Sequence, residues 1–188
     1  MDIEARALRF AYGDKTVLRD FSLTLRGGGV YLLTGASGCG KTTLLRLLLG
    51  LLRPQRGSVT PGVRYGAVFQ EDRLLPGRSA VENLRFVLRG QTETAALEAL
   101  LAELLPPACL HEPVEALSGG MRRRVAVARA LFAPSDCLLM DEPLAGLDAE
   151  TRRRVVACIF RHRNGRTLLV ATHHPEEFAG HGATQIAL

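Results

Sequence analysis

The sequence predicts an α/β fold: a mainly parallel sheet core with helices on its faces, a small antiparallel β addition, and a helical subdomain beside the sheet. Three observations carry this. Short apolar runs of strand length alternate with helical periodicity along most of the chain, the pattern of parallel strands joined by helical crossovers. Two early runs, residues 3–10 and 17–25, flank a tight turn and so suit antiparallel pairing. Residues 79–133, in contrast, contain no strand signal. The chain has 188 residues, 47% of them hydrophobic, enough for one domain over 1–188 with a sizeable core. The helical subdomain is expected at about 79–133.

The elements follow in order. In residues 17–25, Val17, Phe21, Leu23 and Leu25 mostly alternate with polar positions, and Tyr12-Gly13-Asp14 forms the turn before them. Gly27-Gly28-Gly29 breaks the chain, and residues 30–33 make a short buried strand. Residues 41–51 read as a helix closed by Pro54 and Gly57, and 65–69 as a strand ending at Gln70. A helical pattern runs over 81–105 until Pro106-Pro107 stops it, with Leu84, Val87 and Leu88 on one face and Leu97, Leu100, Leu101 and Leu104 on the next. Residues 119–132 form another helix, 137–140 a buried strand, 149–163 an amphipathic helix, and 167–171 a strand. A helical turn at 175–178 and a strand at 184–188 complete the series.

Composition narrows the function. The net charge is +5, but Trp is absent and aromatics are only 5%, so no stacking platforms interleave with the basic clusters and no nucleic acid partner is expected. The runs Arg122-Arg123-Arg124 and Arg152-Arg153-Arg154 fall on predicted helices, where consecutive residues spread around the axis. They are expected as solvated faces paired with nearby acids. Cys39, Cys109, Cys137 and Cys158 lack metal-ligand spacing, which suits reduced thiols in the cytosol. The start, Met1-Asp2-Ile3-Glu4, is acidic and unlike a signal peptide. The apolar run at 47–52 is far short of the ~20 residues that span a bilayer, so any membrane part must come from another chain.

Two motifs carry chemistry. Gly35-Ala36-Ser37-Gly38-Cys39-Gly40-Lys41-Thr42 follows an apolar strand and opens a helix. Its glycines let successive N–H groups turn toward phosphate oxygens, and the helix end favours the same anion. Lys41 would reach the β- and γ-phosphates, and the hydroxyl of Thr42 would ligate Mg²⁺, with Thr43 the next residue of the nucleotide-binding segment. The second motif, Cys137-Leu138-Leu139-Met140-Asp141-Glu142, buries four apolar residues and leaves two carboxylates at the strand's C-terminal end, where open α/β sheets bind ligands. Asp141 is the candidate Mg²⁺ holder and Glu142 the candidate general base for an attacking water. Cys39, near a helix N-terminus and Lys41, predicts a reactive thiol whose alkylation blocks ATP binding.

Leu117-Ser118-Gly119-Gly120 lies between these motifs. A phosphate loop, then LSGG, then Asp-Glu at a strand end resembles the ATP-binding-cassette (ABC) ATPases, P-loop NTPases in which LSGG closes over the ATP held by a second subunit. The resemblance covers essentially the whole chain in the family's order. It implies that Ser118, Gly119 and Gly120 face a partner's γ-phosphate, Ser118 also serving as an ordinary helix N-cap. Gln70 matches the family's γ-phosphate sensor, a metal contact that couples to the membrane partner. Asp148, in Ala145-Gly146-Leu147-Asp148, matches the dimer-contact aspartate. His173 matches the switch histidine, with His174 competing for the role. Tyr12 matches the aromatic residue that stacks on adenine, unless it simply plugs the hairpin. Met121 stands where the signature usually continues with Gln.

The resemblance further implies ATP and Mg²⁺, a head-to-tail homodimer, transmembrane permease subunits with a solute-binding protein, and a peripheral place on the cytoplasmic face of the cell membrane. The segment 69–76 followed by Val81-Glu82-Asn83-Leu84 looks like bacterial importer cassettes for nitrate, sulfonate or taurine. A C-terminal regulatory domain is not expected. The alternatives are an exporter cassette and a soluble ABC ATPase acting on nucleic acid or in regulation, although the long coiled coil of the repair relatives is missing here. A P-loop kinase would leave LSGG, Asp148 and His173 unexplained.

Overall fold

The computed structural model describes residues 1–89 and 92–188. The chain begins with an antiparallel hairpin, β1 (Ile3–Tyr12) and β2 (Lys15–Leu25). Ile3, Ala5, Leu8 and Phe10 are buried, and the alternation slips by one at Arg6 and Ala7. There the register shifts and Ala7 takes a φ of 47°, as in a β-bulge that puts Leu8 and Phe10 back on the core face.

The sequence reading missed β4 (Arg56–Val59), a third strand on the other edge of β1. Gly57, expected as a helix terminator, lies inside this strand at φ 86°; a Cβ there would stand 2.3 Å from the carbonyl oxygen of Arg6. Glycine permits that backbone approach, so a residue that argues against a strand is here what lets the strand pair.

The main sheet has five strands in the order β5 (Tyr65–Val68), β6 (Cys137–Asp141), β7 (Thr167–Ala171), β3 (Val30–Thr34) and β8 (Thr184–Ala187), all parallel. Every residue of β6 and β7 is buried. Their side chains divide by the two-residue period of the pleat. Leu138, Met140, Leu168 and Val170 face a core shared with α2 (Ala80–Val87), α3 (Thr94–Ala102), α4 (Gly119–Phe132) and α5 (Ala149–His162). Cys137, Leu139, Leu169 and Ala171 face a second core shared with α1 (Lys41–Leu48) and the antiparallel sheet. Covering both faces explains why these strands are continuous apolar runs.

The expected helix over 81–105 is two helices. Serine begins the first: Ser79 accepts from the Glu82 N–H while Glu82 accepts from the Ser79 N–H, a reciprocal cap. Arg89, in the left-handed region at φ 54°, ends α2, and α3 starts afresh at Thr94. Helix α1 stops at Leu48, three residues early, because Gly50 turns left-handed and the Leu51 N–H bonds back to Arg46.

The arginine runs meet the expectation only in part: Arg123 and Arg152 face acids, Asp72 at 3.3 Å and Glu177 at 3.9 Å, but most of the bonds go to carbonyls. Arg122 donates to the Leu117 carbonyl at 2.6 Å, Arg123 to those of Phe69 and Gln70 at 2.6 and 2.5 Å, and Arg124 to that of Leu104 at 2.5 Å. Arg152 donates to Leu147 at 2.9 Å, while Arg153 and Arg154 are exposed, Arg154 reaching the Glu103 carbonyl at 3.4 Å. Guanidinium groups carry five donors, and here most serve backbone carbonyls at loop and helix ends rather than carboxylates. The four cysteines are free, and burial pushes the Cys137 and Cys158 thiols up to about 12, which keeps them inert. Among the described residues, no helix is long and apolar enough to cross a membrane.

Candidate functional site

The functional side chains gather at the C-terminal edge of the parallel sheet. The loop between β3 and α1 carries the glycine-rich segment, and α1 opens at Lys41 directly from Gly40. Gly40 has a φ of 117°, and a Cβ there would stand 2.7 Å from Cγ1 of Val17 on the hairpin. Glycine is therefore required twice over, for the turn into the helix and for the hairpin that overhangs it. Lys41 is buried and turned back along the loop, donating from Nζ to the carbonyls of Gly35 at 2.8 Å and Ala36 at 3.1 Å.

The buried strand β6 delivers Asp141 to the same edge, 5% exposed, where Oδ2 accepts from the Thr42 hydroxyl at 2.7 Å. These are hard oxygen donors, one of them an anion in a nearly dry place, and the pair fits a small divalent cation such as Mg²⁺. Glu142 comes next with a φ of 50°, a conformation that costs a non-glycine residue on the order of 1–3 kcal/mol. Its N–H is held by the Ala171 carbonyl of β7 at 2.9 Å, which fixes the unusual turn and aims the carboxylate back over the sheet edge. Oε2 accepts from the His173 N–H at 3.3 Å. Oε1 is buried with no hydrogen-bond partner, and His173 Nε2, 3.5 Å away, is too far for a good bond. A buried carboxylate oxygen with a lone pair free at a cavity wall is a position for a water's proton.

One cavity of about 320 Å³ brings together Tyr12, Ser37, Gly38, Gly40, Lys41, Thr42, Thr43, Gln70, Asp141, Glu142 and His173. Tyr12 ends β1, about half exposed at 47%, its ring T-shaped to Phe10 at 4.9 Å. His174 points elsewhere, with Nδ1 3.1 Å from Glu176 and 3.5 Å from Arg152. Gln70 also borders a neighbouring cavity of about 390 Å³ lined by Arg46, Phe69, Glu71 and Arg73. Sequence reasoning missed Lys15 and Val17, which line the nucleotide-sized cavity from the start of β2. The signal was available: Lys15 pairs with Tyr12 across the hairpin turn.

Cys39 lies apart from this lining. Its Sγ would be 2.8 Å from a Cβ on Gly35, so the thiol packs against the loop's own backbone. The predicted block of ATP binding by alkylation would then act through distortion of the loop.

Ser118, Gly119, Gly120 and Asp148 are not in the cavity either. Ser118 caps α4, accepting from the Met121 N–H at 3.2 Å, and the helix start is exposed. Asp148 caps α5, accepting from the N–H and hydroxyl of Thr151 at 2.9 and 2.8 Å, and these bonds hold its carboxyl below the usual range. The two caps are neighbours, since a Cβ on Gly120 would stand 3.2 Å from Leu147. They form an exposed patch outside the lining of the chain's own cavity.

Comparisons with known proteins identify the family and the fold. A family model described as ABC transporter matches residues 18–145. The aliphatic sulfonates import ATP-binding protein SsuB 2 of Burkholderia cenocepacia is 40% identical over 187 residues, which cover 93% of this chain and 69% of that protein. The aliphatic sulfonates import ATP-binding protein SsuB of Pseudomonas entomophila is 41% identical over 185 residues, covering 93% and 68%. Among solved structures, a dimeric bacterial ABC transporter cassette superposes with a TM-score of 0.84 at 25% identity, covering 98% of this chain and 94% of that one. A dimeric cassette bound to ADP and Pi superposes with a TM-score of 0.83 at 24% identity and likewise shows the fold.

Proposed function

This chain belongs to the ABC transporter family as an ATP-binding and ATP-hydrolysing cassette, and we propose that two copies meet head to tail, each completing the other's site, to drive a solute importer. The observation that carries this is the split of the site. The cavity with Lys41, Thr42, Asp141 and Glu142 has no part of Ser118–Gly120, while those residues form an exposed helix start. A second copy turned head to tail would bring that helix start to the open side of the cavity.

The roles follow from position. Tyr12 offers its half-exposed ring to the adenine. The N–H groups of Ser37 to Thr43 and the Lys41 ammonium hold the phosphates, with Lys41 exchanging its two loop carbonyls for phosphate oxygens. Thr42 and Asp141 would hold Mg²⁺, with Gln70 at its edge; when bound, the ion neutralises charge on the phosphate oxygens. Glu142 takes the proton of a water at Oε1, and His173 orients that carboxylate through its N–H. Ser118 and the α4 helix end supply the last donors from the opposite copy, and Asp148 lies at the contact beside them. Since γ-phosphate contacts both copies, ATP favours the closed pair and hydrolysis releases it.

The permease, a solute-binding protein and a peripheral position at the cytoplasmic face of the membrane follow from the importer reading. Residues 79–133 would form the helical subdomain that meets the permease. Sulfonates are the solute class favoured, because the SsuB relatives at 40–41% identity are named for aliphatic sulfonate import.

Complementation tests the composite site. Lys41→Ala and Ser118→Arg chains should each be inactive alone. Mixed, they should recover ATP turnover, because one of the two sites then has an intact phosphate loop and an intact signature. If the mixture is as inactive as its components while parent protein hydrolyses ATP, the shared-site reading fails.

A further inference from the structure

Arg123 is a cation in a place where burial is costly. It is 8% exposed, five residues into the signature helix from Ser118, and its side chain leaves α4 to reach the segment after β5. Its Nη1 and Nη2 donate to the carbonyls of Phe69 and Gln70 at 2.6 and 2.5 Å, and Nε lies 3.3 Å from the Asp72 carboxylate. Farther along the same helix, Arg129 donates to the Asp72 carbonyl at 3.2 Å. Two arginines of one helix therefore grip residues 69–72. Removing a guanidinium from water to bind two main-chain carbonyls is a demanding way to fill space, and it pins the backbone at the residue whose side chain borders the nucleotide cavity.

A helix is stiff over five residues, so the grip has a mechanical consequence. Ser118 and Arg123 lie on one rigid helical span of roughly 7–8 Å, at ~1.5 Å per residue, and the Arg123 side chain carries the connection on to the Gln70 carbonyl. We propose that Arg123 is a positioning residue for the ATPase reaction: it joins Gln70, at the wall of one chain's cavity, to the Ser118–Gly120 surface offered to the other chain, so that the two move as one piece. This rests on the shared-site reading above. ATP entering one copy would thereby set the signature that the same copy presents to its partner, and the two sites would close together.

Lysine can keep the charge beside Asp72 but cannot hold the Phe69 and Gln70 carbonyls together with a planar fork, so Arg123→Lys separates charge from grip. The experiment measures ATP affinity and ATP-driven dimerisation of Arg123→Lys in a Glu142→Gln background, with turnover of Arg123→Lys alone. The prediction is ATP affinity of the single chain within about two-fold of its parent, dimerisation weakened roughly 10-fold, and kcat reduced about as much with KM little changed. Arg123→Leu should show the same split more strongly. If it does not fold, the lysine variant decides. Dimerisation and kcat equal to the parent's, or a loss confined to ATP affinity or Tm, would overturn the proposal. If the Glu142→Gln parent itself fails to dimerise with ATP, the shared-site reading falls and this inference with it. If the parent dimerises and the variant matches it, only this inference falls.

Discussion

The two ends of the parallel sheet are built on opposite principles. At the N-terminal end, arginines spend their donors on holding elements together, although the Tyr65 hydroxyl is buried there without a partner. Arg166, just before β7, donates to the carbonyls of Leu131 and His162 at 2.6 and 2.8 Å, to the Ser135 hydroxyl at 2.8 Å, and to the Arg163 carbonyl at 2.8 Å, tying the C-terminal ends of α4 and α5 together. A cation at two helix C-termini is favoured by both dipoles. Beside it Arg64 forks onto Asp136, at 2.8 Å to one oxygen and 3.1 Å to the other. At the C-terminal end, Glu142 keeps a left-handed backbone and a buried oxygen without a partner, and Asp141 is buried against a single hydroxyl. One end holds the sheet together while the other keeps donors and acceptors in reserve for a ligand. Stability and chemistry are thereby separated by the length of a five-residue strand.

Breaking each end should give different symptoms. The largest effect belongs to Glu142→Gln, which removes the base: ATP turnover should fall on the order of 10²–10⁴-fold with no loss of Tm. A variant that turns over ATP normally would remove Glu142 from the role. Arg166→Ala should do the reverse. Stranding several partly buried carbonyls costs about 3 kcal/mol, seen as a Tm lower by roughly 6–12 °C, with ATP affinity of the folded fraction unchanged. Weakened ATP binding in proportion to the stability loss would show that the two ends are not separate.

Smaller changes sharpen the contrast. Tyr12→Ala should weaken ATP binding by about 1 kcal/mol, roughly five-fold, while Tyr12→Phe should not, because stacking needs the ring alone. Equal losses in both would assign the role to the hydroxyl. The smallest effect is that of Asp136→Asn. The side-chain bond from Arg64 and its backbone N–H hold this carboxyl down at about 2, below its ordinary 3.8. A depressed folded value means stability that is present above about pH 4 and lost as the pH falls toward 2. The Tm gap between parent and Asp136→Asn should therefore narrow over that window. It should also narrow in high salt, since the pair is solvent-exposed. A gap indifferent to pH would mean that the bond's geometry, not its charge, carries the effect.

The parallel sheet was legible because β6 and β7 are buried on both faces, and runs such as Leu138-Leu139-Met140 admit little else. The gathering of Lys41, Thr42, Asp141 and Glu142 at one cavity was legible because both motifs follow apolar strands, whose C-terminal ends share one edge of a parallel sheet. What escaped was long-range. β4 could not be seen because Gly57 satisfies a partner strand far away in sequence. The expected solvated face at Arg122–Arg124 failed at Arg123 because its acceptors are main-chain carbonyls, which leave no mark in a sequence. Its place one turn before Val127 on the buried side of α4 was the only local hint. The break between α2 and α3 escaped because apolar spacing continues through Leu97 and Leu101. The left-handed φ of Glu142 likewise depends on β7 holding its N–H, a contact made only once the sheet has formed.

The measurement that most directly tests the central claim is the mass of Glu142→Gln protein in solution by light scattering, with and without ATP-Mg²⁺. The account predicts a monomer that becomes a dimer with ATP, and a Ser118→Arg change in the same background that binds ATP yet stays monomeric. A mass unmoved by ATP, with nucleotide binding confirmed separately, would contradict a site completed by the signature of a second copy.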